Sequence, residues 1–143
     1  VAIYLQGVGA SSFLVTYAGT TLTDHVRSVT INMAYDEVDV TAMGAVAHAV
    51  IPGLRDDSVT LEFYQDFAAS SVDVTLNSYL GSTSGATLVI QSSGSTVSAT
   101  NPKWTVVSSP FTYEPLNAAV GEASTTSVTF KPVAGQSITR ATS

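Results

Sequence analysis

Cysteine is absent. That removes disulfide staples, thiolate metal sites and a cysteine nucleophile from consideration. Charge is scarce: Asp, Glu, Lys and Arg make up 11% of the 143 residues, against about a quarter in an ordinary globular domain. Positive charge is scarcest. Only Arg27, Arg55, Lys103, Lys131 and Arg140 are basic, and the net charge is −6. A site that grips nucleic acid must neutralise phosphates, so this composition argues against one. No apolar run approaches the ~18 residues of a membrane span. Residues 1–9 carry neither a basic start nor an h-region, so no signal peptide is expected.

Ser, Thr, Val and Ala fill the space that charge leaves. At this length a single domain can bury roughly 68–70% of its extended surface, so a core needs no staple. Residues 1–143 read as one domain. Few charges and many hydroxyls suit a protein whose surface is largely covered by copies of itself.

Short alternating runs recur between Gly, Pro, Asn and Asp, the pattern of a β-protein. Val29, Ile31, Met33 and Tyr35 alternate with Thr30, Asn32 and Ala34. Val38, Val40 and Ala42 alternate with Glu37, Asp39 and Thr41, and Val59, Leu61 and Phe63 with Thr60, Glu62 and Tyr64. Leu88 with Ile90, and Val128 with Phe130, behave likewise. Each predicts a half-buried strand. Residues 104–113 are strand-like, but Pro110 lacks a ladder donor, which predicts an edge or a bulge there.

One segment has a different period. Val72, Leu76, Tyr79 and Leu80 fall at i, i+4, i+7 and i+8, one face of a helix over residues 70–81. Ser70 is the expected N-cap, Asp73 suits the first turn, and Gly81 is the expected stop. The connections are a Ser/Gly turn at 81–85, an Ala/Gly-rich loop at 116–124, and a long apolar loop at 44–53. Residues 1–23 and 134–143 are candidate terminal arms. The fold class is mainly β, two packed antiparallel sheets with one short flanking helix.

The candidate chemistry is thin. His25 and His48 have no second histidine at ligand spacing, and His48 lies in an apolar loop, where a structural or interface role is expected. No G-x-S-x-G nucleophile elbow occurs. Gly7-Val8-Gly9 lacks the rest of a nucleotide fingerprint. Asp36, Glu37 and Asp39 form the densest acidic cluster, but Glu37 and Asp39 share one strand face and Asp36 the other, unlike converging calcium ligands. Arg55, Asp56 and Asp57 read as a turn with a local ion pair. Tyr64, Trp104, Phe111 and Tyr113 could form a sugar platform, although core packing is the commoner use. No catalytic residue, metal or cofactor is expected.

The order of short motifs then becomes informative. Asp39-Val40-Thr41-Ala42-Met43-Gly44 is followed by Ile51-Pro52-Gly53-Leu54-Arg55-Asp56, then the strand Ser58-Val59-Thr60-Leu61-Glu62-Phe63, then the helix. Ser98-Ala99-Thr100-Asn101-Pro102-Lys103, then Tyr113-Glu114-Pro115-Leu116, Val120-Gly121 and Ile138-Thr139-Arg140-Ala141 come later. Across residues 26–141 this order resembles the major tail tube protein of long-tailed bacteriophages.

The resemblance implies a structural, non-enzymatic virion protein, made in the bacterial host cytoplasm and located in the phage tail. Six copies would form a ring, and rings would stack into a tube through which DNA is ejected. The implied partners are the chain itself, a tape-measure protein, a tail terminator and distal tail proteins, with viral DNA passing non-specifically and no membrane insertion. Met43, Gly44, Val46, His48, Val50, Ile51 and Pro52 are the expected contacts between subunits or rings. Glu37 and Asp39 are the expected acidic face of the lumen. Val72, Leu76, Tyr79 and Leu80 are the expected buried side of the helix. Two other readings remain open: a β-sandwich surface module that binds glycans, and a hydrolase whose site is assembled from distant residues.

Overall fold

The computed structural model describes residues 13–143. Among these residues ten strands appear in chain order: β1 Leu14–Tyr17, β2 Thr20–Thr21, β3 Val26–Asn32, β4 Tyr35–Asp39, β5 Val50–Arg55, β6 Ser58–Tyr64, β7 Ala86–Gln91, β8 Lys103–Tyr113, β9 Thr125–Pro132 and β10 Thr139–Ala141. A 3-10 turn, Thr23–His25, precedes β3, and one α-helix, α1 Val72–Tyr79, lies between β6 and β7. All pairings among the described strands are antiparallel. The order β2-β1-β7-β8-β9-β6-β3, with β10 added beside β8, makes an eight-stranded sheet, and β4-β5 makes a separate two-stranded one. The expectation of a mainly β fold with two antiparallel sheets and one short helix holds.

The large sheet curls on itself. Two strands separate β1 from β9, so in a flat sheet they would lie roughly 14 Å apart. Yet the rings of Tyr17 on β1 and Phe130 on β9 meet edge-on with centroids 4.9 Å apart. The inward positions are those the period-two reading selects. Val59, Leu61, Phe63, Leu88, Ile90, Val128 and Phe130 are all buried, and Val15, Tyr17 and Leu22 join them. Fully burying each such side chain stabilises the fold by about 1.5–3 kcal/mol. Tyr17 carries a hydroxyl into this core and satisfies it by donating to the Ser108 carbonyl at 2.9 Å. Burial pushes its phenol far above its ordinary value.

The turn between β1 and β2 has two central residues, Ala18 and Gly19, with φ of 51° and 79°. Two successive left-handed residues are what a tight hairpin turn matched to strand twist requires. Gly81 also has positive φ, +70°, at the expected end of the helix.

The helix start is displaced from expectation. Ser71, not Ser70, is the N-cap, and Ser70 itself is left-handed with φ 60°. Asp66 organises this entry. Its Oδ2 accepts the Ser71 hydroxyl at 2.6 Å, its Oδ1 accepts the Ala68 N–H, and its carbonyl accepts the Asp73 N–H. The two bonds to the carboxylate, with the Ser71 hydroxyl foremost, hold it below the usual carboxylate range, and His25 adds a contact at 3.0 Å. On the inner face Val72 and Leu76 are buried as expected, and Tyr79 is half-buried, edge-on to Tyr17 at 5.5 Å. Leu80 departs from expectation and is exposed, because at Leu80 the backbone leaves the helix with ψ 119°. Thr75 is the third buried residue of the helix.

Pro110 lies at a register shift between β8 and β9, which is the bulge alternative. It is not at an edge, since β8 is the central strand bonded to β7, β9 and β10. Neither terminal arm survives in the described residues. Val15, Tyr17 and Leu22 are core residues, Ile138 is buried, and β10 pairs with β8. Residues 1–12, with the absent signal-peptide pattern, lie outside the described residues.

Candidate assembly surfaces

Two expected strands part from the sheet. The alternation from Val29 to Tyr35 breaks after Asn32, and β4 and β5 form a ribbon of their own. Val38 and Val40, expected against the core, are 42% and 46% exposed. No residue of β4 is buried. The period of two is real, but neither face of the ribbon has the core beneath it.

The register pairs Glu37 with Pro52, Val38 with Ile51 and Asp39 with Val50. The loop therefore spans 40–49 rather than 44–53, because Val50, Ile51, Pro52 and Gly53 belong to β5. The Val40 N–H bonds the Ala49 carbonyl at 2.8 Å, and the Ala49 N–H bonds the Thr41 hydroxyl at 2.9 Å. These close the loop mouth. Met43 and Val46 are fully exposed, and Gly44, His48, Val50, Ile51 and Pro52 are exposed with them. The structure thus collects all seven expected assembly residues on one protruding hairpin.

Glu37 and Asp39 lie at the start of that hairpin, both exposed. Asp39 accepts the Thr41 N–H at 2.8 Å, and bonding from Thr41, its hydroxyl first, holds the carboxyl below the usual range. It stays ionised through neutral pH. His48 is 3.8 Å away, beyond a hydrogen bond. Neither Arg27 nor Arg55 pairs with these carboxylates: Arg27 stacks over Tyr64, and Arg55 bonds Asp57 at 2.9 Å.

The base of the hairpin is tied to the far end of the chain. Asp57 is 2% exposed. Its carboxylate accepts from Arg55 and from the Ile138 N–H at 2.8 Å, while Arg55 also donates to the Ile138 carbonyl at 2.9 Å. Both backbone groups of Ile138 are therefore held by the residues that end the ribbon. Beside them Lys131 pairs with Asp56 at 2.8 Å. The local ion pair was legible in the sequence; its hold on Ile138 was not.

A second apolar surface occurs at the opposite end of β3 and β6. The strands pair from Val26 with Phe63 to Asn32 with Ser58, and the hairpin follows Asn32. At the other end, past Tyr64, Phe67 is 60% exposed, Leu116 75% and Val120 fully so. Hydrogen bonds from Gln65 to Ser124 and Pro115, and from Thr125 to Asn117, gather these loops. Tyr113 braces them, donating to Asp73 at 2.6 Å and accepting from Gln65 at 2.9 Å. Burial, then the Asp73 bond, pushes its phenol up to about 12. Sequence reading saw only an Ala/Gly-rich loop here; the exposed Leu116 and Val120 within it were the available signal.

The aromatic platform does not form. Trp104 lines a groove beside β3, Phe111 lies elsewhere beside Pro132, Tyr64 sits under Arg27, and Tyr113 is engaged with Asp73. Among the described residues, no group of three His, Cys, Asp or Glu residues comes together to hold a metal.

No protein-family model matches the sequence, and no curated protein matches it. Solved structures do. The tail of an empty gene transfer agent particle, refined with C6 symmetry, superposes with a TM-score of 0.69 at 11% identity, over 94% of this chain and 99% of that one. The tail tube of SPP1 gives 0.69 at 10% identity, over 95% of this chain and 79% of that one. The sheath/tube terminator structure of an extracellular contractile injection system gives 0.68 at 13% identity, over 98% and 99%. The fold of this chain is the one found in these tube assemblies.

Proposed function

We propose that this chain is a structural subunit that assembles with its own copies into six-membered rings, which stack into a hollow tail tube of a virion or related particle. The observation that carries the reading is the hairpin. Its apolar side chains lie off the core and are covered only across the ribbon, as Val38 is by Ile51, and isolated two-stranded ribbons are marginal in water. Exposed apolar patches of this kind mark association sites. A second copy supplies the missing cover. The hairpin and the Phe67–Leu116–Val120 surface lie at opposite ends of the same strands, so a contact between them is head-to-tail. Such a contact does not close on itself and generates a filament. Sheet edges joined between neighbours in a ring would remove unpaired strand edges as well. The sharing of the fold with tube subunits over nearly the whole chain supports the same conclusion.

Low charge follows from this function, because obligate interfaces typically bury about 2,000 Å² or more. So does acidity. Six chains at −6 each give a strongly negative ring, and Glu37 and Asp39 are placed here on its lumen side. A negative wall repels phosphates within about 8 Å at physiological salt and lets DNA slide; a basic wall would hold it. The channel acts as a conduit, without catalysis. Tape-measure, terminator and distal tail proteins are the expected partners at its interior and ends.

Electron microscopy of the purified protein tests the reading. Hollow tubes or six-membered rings are expected. A monomer that persists at all concentrations, in the presence of the particle's other tail components, refutes it.

A further inference from the structure

His25 sits between two carboxylates. Its Nε2 lies 3.0 Å from Asp66 Oδ2, and its Nδ1 lies 3.2 Å from Asp24 Oδ1. An ionised carboxylate only accepts, so each contact needs a proton on the ring nitrogen. A neutral imidazole carries one N–H, and the imidazolium carries two. Both contacts are therefore made together only by the doubly protonated ring. Imidazole is the side chain that ordinarily changes its charge between about pH 5 and pH 8.

One side of this bridge is fixed. The 3-10 turn Thr23–His25 stands on the core: the N–H of buried Leu22 bonds the Val15 carbonyl, the His25 N–H bonds the Leu22 carbonyl, and the Thr23 hydroxyl accepts the Val15 N–H. The other side is a loop. Asp66 folds back on its own chain, and its Oδ1 accepts the Ala68 N–H at 2.9 Å, closing a turn around the exposed Phe67. Two residues on, Ser70 holds φ 60°, a conformation that costs any residue with a Cβ. Loops of this kind, exposed and held by few bonds, open first. The other charged groups at this end have their own partners. Arg27 lies over Tyr64, Glu62 accepts the Ser28 hydroxyl, and Asp73 accepts the Tyr113 hydroxyl. From β1 comes Tyr17, whose hydroxyl is bound to Ser108, and Glu114 and Glu122 are exposed on the loops beyond.

We propose that His25 is a proton-operated latch on the loop that presents Phe67. Charged, the ring bridges Asp24 and Asp66 and holds the loop in place. Neutral, it gives up one carboxylate and the loop loosens. Asp24 is exposed and turns to water, so the neutral ring keeps a plain N–H bond to Asp66, and a charge-assisted bond is roughly twice as strong as a neutral one. The sign follows from the partners. Raising the pH strips the second ring proton and weakens the latch; strong acid protonates Asp66 and opens it from the other side. The bonds from Ser71 and Ala68 hold the Asp66 carboxyl below the usual range, so mildly acidic solution keeps both partners charged. Phe67 belongs to the apolar surface that carries Leu116 and Val120. With the assembly reading, on which this consequence rests, the latch sets that surface for stacking in mild acid and releases it in alkali.

Native-state hydrogen exchange on the dispersed subunit tests the latch. The Ala68 amide, which reports the turn around Phe67, is followed at about pH 5.5 and about pH 8, each rate taken relative to an unstructured peptide. Its protection should fall on the order of fivefold at the higher pH. In His25→Gln, which keeps a donor but does not titrate, protection should be the same at both. His48→Gln, on the exposed hairpin, should behave as wild type. Imidazole nitrogen spectra of the wild type need no variant: at the lower pH the His25 ring should show two slowly exchanging N–H protons. Equal wild-type protection at both pH values, an undiminished pH dependence in His25→Gln, or a single N–H on the His25 ring at the lower pH each overturns the proposal. Tube growth is then measured at the same two pH values. It should favour the lower pH by a larger factor in wild type than in His25→Gln; equal factors overturn the control of assembly. Exchange as expected in a protein that forms no tubes at any pH upholds the latch and counts against the assembly reading alone, so the two failures are distinguishable.

Discussion

Replacing Asp57 with Ala should loosen the C-terminal strand before it loosens the rest of the protein. The carboxylate is 2% exposed and accepts the Ile138 N–H at 2.8 Å. Ile138 is itself 2% exposed, so water does not readily replace the lost acceptor. Orphaning one buried donor costs about 1–3 kcal/mol. Arg55 loses its partner too, but at the protein surface it regains water. With a urea slope near 2 kcal/mol/M, the unfolding midpoint should fall by roughly 0.5–1.5 M. Hydrogen exchange gives the sharper test. The amides of Ile138 and of β10, Thr139–Ala141, should lose protection well ahead of those in β6 and β9, since β10 has few other ties. The β4–β5 base should loosen with them, because Arg55 ends β5 and grips the Ile138 carbonyl. If exchange at 138–141 is unchanged, or rises only with global unfolding, Asp57 does not hold this segment.

Four further outcomes are expected. Leu76→Ala opens the core under the helix and should destabilise the chain by about 2–5 kcal/mol in chemical denaturation; a loss of a few tenths would place Leu76 outside the core. The Tyr113 phenol, raised to about 12, stabilises the folded state fully below its unfolded value near 10, and this is lost as pH rises through about 12; absorbance titration of wild type against Tyr113→Phe should show the latest-ionising phenols but one missing or shifted, and an ordinary titration would refute the assignment. Shortening the 40–49 loop should leave the melting curve in place and abolish tubes; normal tubes would disconnect the hairpin from assembly. Glu37→Lys with Asp39→Lys changes each chain by four charges, and tubes should still form while DNA passage slows at low salt and recovers at high salt; unimpeded passage at low salt would remove these residues from the lumen.

The sequence resolved some of this architecture well and some not at all, for physical reasons. Val59, Leu61 and Phe63 were legible because an alternating run with a heavy aliphatic face has few alternatives in water. Val38 and Val40 carry the same alternation and lie outside the core. A period of two records that a strand has two unlike faces, not whether the apolar one meets its own chain or another. β1 was invisible because four residues are too few for a period to register. Its burial is imposed by pairing with β7, far along the chain. The helix face was read correctly at Val72 and Leu76. It failed at Leu80, where one residue of extra helix would have been needed to turn the side chain inward. At the candidate site, the seven hairpin residues were legible as an apolar stretch that no core strand explained. The second surface at Phe67, Leu116 and Val120 required three loops to be brought together, which only long-range pairing does.

The deep seat of Tyr17 has a consequence during synthesis. Its hydroxyl bonds a carbonyl 91 positions later, and its ring packs on Phe130, later still. At about 5–20 residues per second, Ser108 leaves the ribosome roughly 5–20 s after Tyr17. For that interval β1 has its hairpin partner β2 and then β7, but Tyr17 lacks the partners it meets on β8 and β9. Topologies closed by such distant pairs fold slowly, on the ms–s scale. The nascent chain is therefore most prone to wrong association around β1, long before the β4–β5 hairpin has a folded body to stand on.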